Sequence, residues 1–231
     1  MHALAAALLL VVQPAVVSPG DAVTVRVAGP APAASVRVYL SGLAGRLTPV
    51  GTLARGHRRL VVRLPRLDAD VYAPAVRAGS RVVVGRGRLS VRALPPAGFG
   101  PLGAPGCTPA SPRSGPDAFG TAAGAQLWGL FAFNTPGTTL SGPALTYESV
   151  VGKEEKIVFR MTSGIPTVFF AVAPDGTRVA PVWGPKPHLG SSWARPGAEW
   201  GAGFVFDVPG CWHIHAGAAP ARGDLWIDVR S

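Results

Sequence analysis

Lysine, acidic side chains and cysteine are all scarce in this chain. Only 15% of its 231 residues are charged, and twelve of those are acidic. A highly charged disordered tail is excluded, because 48% of the residues are hydrophobic and can form a core. The thirty glycines and twenty-four prolines leave no window for a helical bundle or a coiled coil. The longest apolar run, Ala3–Val12, would extend about 15 Å as a helix, half of what a bilayer core needs, so it is no transmembrane span. Only two cysteines occur, Cys107 and Cys211, neither with a second Cys or His at zinc-finger spacing. There is no Gly-x-Ser-x-Gly elbow, His-Glu-x-x-His helix, glycine-rich phosphate loop or cysteine–histidine nucleophile context. The chain therefore reads as non-enzymatic, with no cofactor and no metal expected.

What is present is a series of short strand-like runs separated by turns, the pattern of an all-β protein. Charge and aromatics divide it. Up to Ala93 there are thirteen arginines against Asp21, Asp68 and Asp70, so the whole formal excess of +10 sits there. Beyond it basic and acidic residues balance, and all six tryptophans follow residue 120. This break predicts two β-sandwich domains, a basic one over 16–93 and a neutral, tryptophan-rich one over 119–231. Between them, residues 94–118 contain seven prolines and five glycines and are expected to form a linker.

Ala3–Val12 has the length of a signal-peptide core, which predicts a signal over 1–15 and a secreted or cell-envelope protein whose only membrane contact is that segment. Two features depart from that pattern: no Lys or Arg precedes the run, and Gln13-Pro14-Ala15 is not a small-x-small site. The alternative is a buried first strand. In an exported chain Cys107 and Cys211 read as a disulfide, worth up to about 4.7 kcal/mol by loop-closure entropy for a loop of roughly 100 residues. The alternative is two free buried thiols.

In the first domain, Val23, Val25 and Val27 alternate with Thr24 and Arg26, Val36, Val38 and Leu40 with Arg37 and Tyr39, and Leu60, Val62 and Leu64 with Arg59 and Arg63. Pro14–Val25 resembles the opening of bacterial exported immunoglobulin-like modules, and Leu64–Val76 is similar to the entry into their sixth strand. The resemblance implies an immunoglobulin-like sandwich, with Tyr72 as a candidate tyrosine-corner residue, and implies no ligand. The outward arginines Arg37, Arg58, Arg59 and Arg63 form a candidate basic face for a polyanion such as a cell-wall polymer. Their ordinary use is to solvate strands and blunt sheet edges. Nucleic acid is not expected as a partner, since the domain has no Phe or Trp on which bases could stack. Asp68 and Asp70 offer two oxygens, far short of a calcium shell, and fit a turn better.

The second domain repeats the strand pattern, with Asp175-Gly176 set to turn a hairpin. From Trp183 to Gly201 runs an expected loop containing Trp183, Trp193 and Trp200, long enough to suggest binding. The segment from Cys107 to Gly210-Cys211-Trp212 resembles a group of uncharacterised bacterial exported proteins that often carry an acid where this chain has His213. Strand parity puts His213 and His215 on one face, about 7 Å apart at the backbone. With His188 they would make a three-imidazole copper or zinc site. Pro209–His215 also has a slight resemblance to a histidine strand of multicopper oxidases, but the ligand cysteine, a further histidine and the axial methionine are absent. The candidate ligand surface is Trp183, His188, Trp193, Trp200, His213 and His215. The leading expectation is an exported envelope protein of structural or binding role, with a wall polymer or another envelope protein as partner.

Overall fold

Alternation of valine and leucine with polar residues decides the first unit. In the computed structural model, which describes residues 10–78, 80–131, 139–148 and 152–230, the chain divides into two compact units, Met1–Arg92 and Ala93–Ser231. The first has strands β1 (Leu10–Gln13), β2 (Val16–Val17), β3 (Ala22–Val27), β4 (Val36–Ser41), β5 (Leu47–Leu53), β6 (Arg59–Arg63), β7 (Val71–Ala78), β8 (Arg81–Val84) and β9 (Leu89–Val91). They form one sheet in the order β1-β3-β6 and another in the order β2-β9-β7-β4-β5, with β8 paired to β7. The inward residues expected from alternation, among them Val23, Val25, Val38 and Leu40, are buried in a single apolar cluster. The Tyr72 hydroxyl donates to the Asp68 carbonyl four residues upstream at 3.2 Å, the bond a tyrosine corner makes. Burial, then the neighbouring Asp70 and Asp68 carboxylates, push the Tyr72 phenol above its ordinary pKa. Asp70 accepts the backbone N–H groups of Val71 and Leu43, at 2.7 and 3.2 Å, so it serves a turn.

The apolar run at the start ends differently from the boundary expected at residue 15. Residues 1–9 of the expected signal lie outside the described residues. Leu10–Gln13 is an edge strand, in antiparallel register with Val27–Thr24, and Leu10 and Val12 are fully buried while Gln13 is exposed. A short apolar run suits both a signal core and a sandwich strand.

The second unit has strands β10 (Arg113–Ser114), β11 (Asp117–Phe119), β12 (Thr121–Ala123), β13 (Leu127–Leu130), β14 (Thr139–Ser141), β15 (Thr146–Glu148), β16 (Glu154–Met161), β17 (Val168–Val172), β18 (Arg178–Val179), β19 (Trp183–Pro187), β20 (Ala198–Val205), β21 (Gly210–Ala218) and β22 (Ala221–Arg230). One sheet runs β10-β11-β13-β16-β20-β19, the other β14-β15-β22-β21-β17-β18, with β12 also paired to β22. Between them lie the largest side chains of the core, Phe131, Phe159, Trp200, Phe204, Phe206 and Trp212. Among the described residues the only helical piece is the single turn Pro105–Cys107, and no helix is long and apolar enough to cross a membrane.

Residues 94–118, expected as a proline-rich connector, belong with the second unit, and most of them are built into it. Phe99 packs edge-on against Phe119 and Trp128. Ser111 is fully buried, donates its N–H to the Trp226 carbonyl and accepts the Trp226 N–H on its hydroxyl. Strands β10 and β11 then join a sheet. Proline removes donors but leaves carbonyls and the intervening N–H groups free to pair, so a proline-rich segment can be tacked onto strand ends. The Cys107–Cys211 disulfide, with Cα atoms 5.4 Å apart, fastens this segment to the start of β21.

Two outcomes are expected. A chain begun at Pro14 loses the burial of Leu10 and Val12 and should unfold in urea with at least about 3 kcal/mol less stability than one begun at Leu10, at about 1.5 kcal/mol or more per buried aliphatic side chain. Equal stability would show that β1 contributes nothing. Thiol titration of the denatured, unreduced protein should find no free cysteine, and the double substitution Cys107→Ser, Cys211→Ser should cost about 2–5 kcal/mol.

Candidate functional site

Strand parity builds the site on the outer side of the sheet that contains β20. On β20, Trp200, Ala202 and Phe204 face the core, so Glu199 and Gly203 face out; on β16, Ile157, Phe159 and Met161 face in, so Lys156, Val158 and Arg160 face out. Residues 188–197 cross this outer side and bury part of it. Glu199, almost wholly buried, accepts from Arg160 Nε on one oxygen and is paired with His188 Nδ1 on the other, both at 2.6 Å. The Arg160 guanidinium also donates to the Arg195 carbonyl. A second carboxylate, Asp117 of β11, accepts Arg195 Nε at 2.8 Å and the Trp193 indole N–H at 2.9 Å. Arg195 lies 4.4 Å above the Trp128 ring, which packs on Phe119. Two carboxylates taken out of water here are each satisfied by the segment that covers them, the arrangement buried charge requires. The segment's return into β20 passes through Gly197, at φ +104°, where a Cβ would lie 2.3 Å from the Met161 carbonyl oxygen; only glycine fits.

Beneath this segment is an open cleft of about 470 Å³, lined in part by Lys156, Val158, His188, Ser191, Ser192 and Trp193. Leu189, next to His188 in the chain, is 92% exposed.

The expected ligand surface is thus only partly assembled. The long loop from Trp183 to Gly201 is shorter than expected: Trp183–Pro187 is strand β19 and β20 begins at Ala198. The two prolines of β19, Pro185 and Pro187, are tolerated because β19 is an edge strand paired on one side only. Trp193 and His188 line the cleft. Trp183 instead lies over β20, donating its indole N–H to Glu154, and a Cβ at Gly203 would overlap its ring. Trp200 is not a surface residue at all. It is fully buried, stacked 5.6 Å from Phe159, and its indole N–H has no partner among the described residues.

His213 and His215 are on the outer side of the other sheet, since Trp212, Ile214 and Ala216 of β21 fill the core. His188 follows the last residue of β19 in the opposite sheet, so the expected three-imidazole set does not form. Its place is taken by Asp224 of β22, directly opposite His215 in register. Asp224 Oδ1 is 2.6 Å from His213 Nε2 and 2.7 Å from His215 Nδ1. Burial works to raise the Asp224 carboxyl, but the hydrogen bonds from His213 and His215 outweigh it and hold the pKa below its ordinary value. The His213 ring stacks on Trp226 at 4.2 Å and 8°, and His215 packs 5.1 Å from Phe170. Sequence reasoning missed Asp224, although a signal existed. A two-residue turn at Ala219-Pro220 pairs Ala218 with Ala221 and, counting back, His215 with Asp224.

The expected basic face is also redistributed. Arg59 and Arg63 project from β6 in the three-stranded sheet, with Arg58 just before it, whereas Arg37 projects from β4 in the other sheet. The neighbour that alternation supplies is Arg26, opposite Arg59 on β3 and exposed.

Removing the carboxylate of Glu199 should leave Arg160 and His188 uncompensated. Glu199→Ala is expected to cost about 3 kcal/mol in chemical denaturation, the scale of a broken buried pair, and to make residues 188–197 a preferred protease site. Unchanged stability and cleavage would show that Glu199 does not hold the segment down. The chain matches no known family model and no curated protein.

Proposed function

We propose that this chain is an exported, non-enzymatic binding protein of the cell envelope, built of two immunoglobulin-like sandwiches, and that its ligand is a saccharide of the wall polymer held in the cleft under residues 188–197. The observation that carries this reading is the pinned segment itself. Two buried carboxylates hold it in place, yet it leaves open a cleft bearing an indole, an imidazole, an ammonium and two hydroxyls. An aromatic face with several neutral or cationic donors around it suits a hydroxyl-rich ring better than an apolar ligand. The carboxylate of the cleft, Glu199, has both oxygens occupied by Arg160 and His188, which suits a clamp rather than a proton-transfer group. The Cys107–Cys211 disulfide favours an oxidising, extracytoplasmic compartment.

A second reading is favoured by one observation. Arg26, Arg59 and Arg63 share the outer side of the three-stranded sheet, and none of them makes an ion pair among the described residues. Arg26 and Arg59 are direct cross-strand neighbours, a like-charge pair that costs stability. An anionic polymer laid along this face would relieve that repulsion.

Sedimentation with purified wall polymer separates the two. Lys156→Ser combined with Ser192→Ala, which removes an ammonium and a hydroxyl of the cleft and none of the bonds that pin the segment, is expected to weaken retention at least tenfold while the stability of the protein is kept. Retention lost instead in Arg26→Ser, Arg59→Ser, Arg63→Ser, and abolished by salt, would move the function to the basic face. No retention of the wild-type protein would reject both.

A further inference from the structure

We propose that His213, His215 and Asp224 form a binding site for a divalent transition-metal ion, on the outer side of the sheet opposite the cleft. The ligand atoms of the three side chains all lie within 4.8 Å of one another. Two imidazoles and one carboxylate are a donor set suited to zinc, copper or ferrous iron, and poorly suited to calcium or magnesium, which take oxygen. The scaffold is rigid. β21 and β22 are the longest strands of their sheet, are paired over nine consecutive positions and have further strands on both sides. Each imidazole is also held on its ring face or edge, His213 against Trp226 and His215 against Phe170. Side chains so fixed need little reordering to bind.

Exposure fits the same reading. The three side chains retain 22%, 22% and 25% of their accessible surface, so they are shielded on the protein side and open outward. Three protein ligands with an open side are the arrangement in which a metal keeps a position for water or a further ligand. His213 Nε2 and His215 Nδ1 both face Asp224 Oδ1 at hydrogen-bond distance. A metal between them takes the place of the shared hydrogens, each neutral imidazole carrying its proton on the other ring nitrogen, His213 Nδ1 and His215 Nε2.

Calorimetric titration of the full chain, purified without a metal-affinity tag, with zinc chloride and with cobalt chloride tests the site. One ion per chain is expected, with a visible cobalt absorption of low symmetry and a zinc-dependent rise in the unfolding midpoint. His213→Gln, His215→Gln and Asp224→Asn should each weaken binding at least tenfold, and His188→Gln should leave it unchanged. Copper should quench the indole stacked on His213, and Trp226→Phe should abolish that part of the quenching while leaving the stoichiometry intact. This last variant keeps all three ligands and so separates loss of binding from loss of fold. Absence of saturable binding at one ion per chain overturns the proposal, as does binding that persists in all three ligand variants or that is lost in His188→Gln. None of these measurements depends on wall-polymer retention, so this site and the cleft stand or fall separately.

Discussion

A strand can bury only every second side chain, and in the second unit both outer surfaces follow from that restriction. Once Phe159, Trp200 and Phe204 on one sheet and Trp212, Ile214 and Ala216 on the other are committed to the core, Arg160, Glu199, His213 and His215 must point away from it. The core residues are apolar and large enough that slipping any of these strands by one position would bury a charge and expose a ring. The register is therefore held by hydrophobic burial, and the polar sites inherit their geometry from it.

The two outer sides treat their polar residues differently. Around Glu199 and Asp117 the chain supplies its own cover, and every charge that loses water gains a partner in the covering segment. Around Asp224 the partners are two imidazoles from the neighbouring strand, braced by Trp226 and Phe170, and all three side chains keep about a quarter of their surface in solvent. The first arrangement locks a loop in place. The second leaves a convergent set of ligand atoms at the surface, which is why the metal proposal falls there and the saccharide proposal on the cleft.

Several features were legible from residue order. The inward valines of the first unit follow from alternation, whose physical cause is short in range, while the Cys107–Cys211 pairing, 104 residues apart, was expected because the chain has only two cysteines and reads as exported. Other local signals are ambiguous. Leu10 and Val12 suit a signal core and also a buried strand, and the prolines of 94–118 suit a spacer and also a segment tacked to a surface.

Residue order alone settles the all-β class, the placement of charge and tryptophan along the chain, and which residues of a strand share a face, because alternation and turn chemistry act between near neighbours. Which strands meet was decided only in three dimensions. That assignment buried Trp200, separated His188 from His213 and His215, put Arg37 on a different sheet from Arg59, and brought Asp224 into the histidine pair. Contacts of this kind depend on the pairing order of whole strands, which is set by the joint burial of two sheets and not by any one segment.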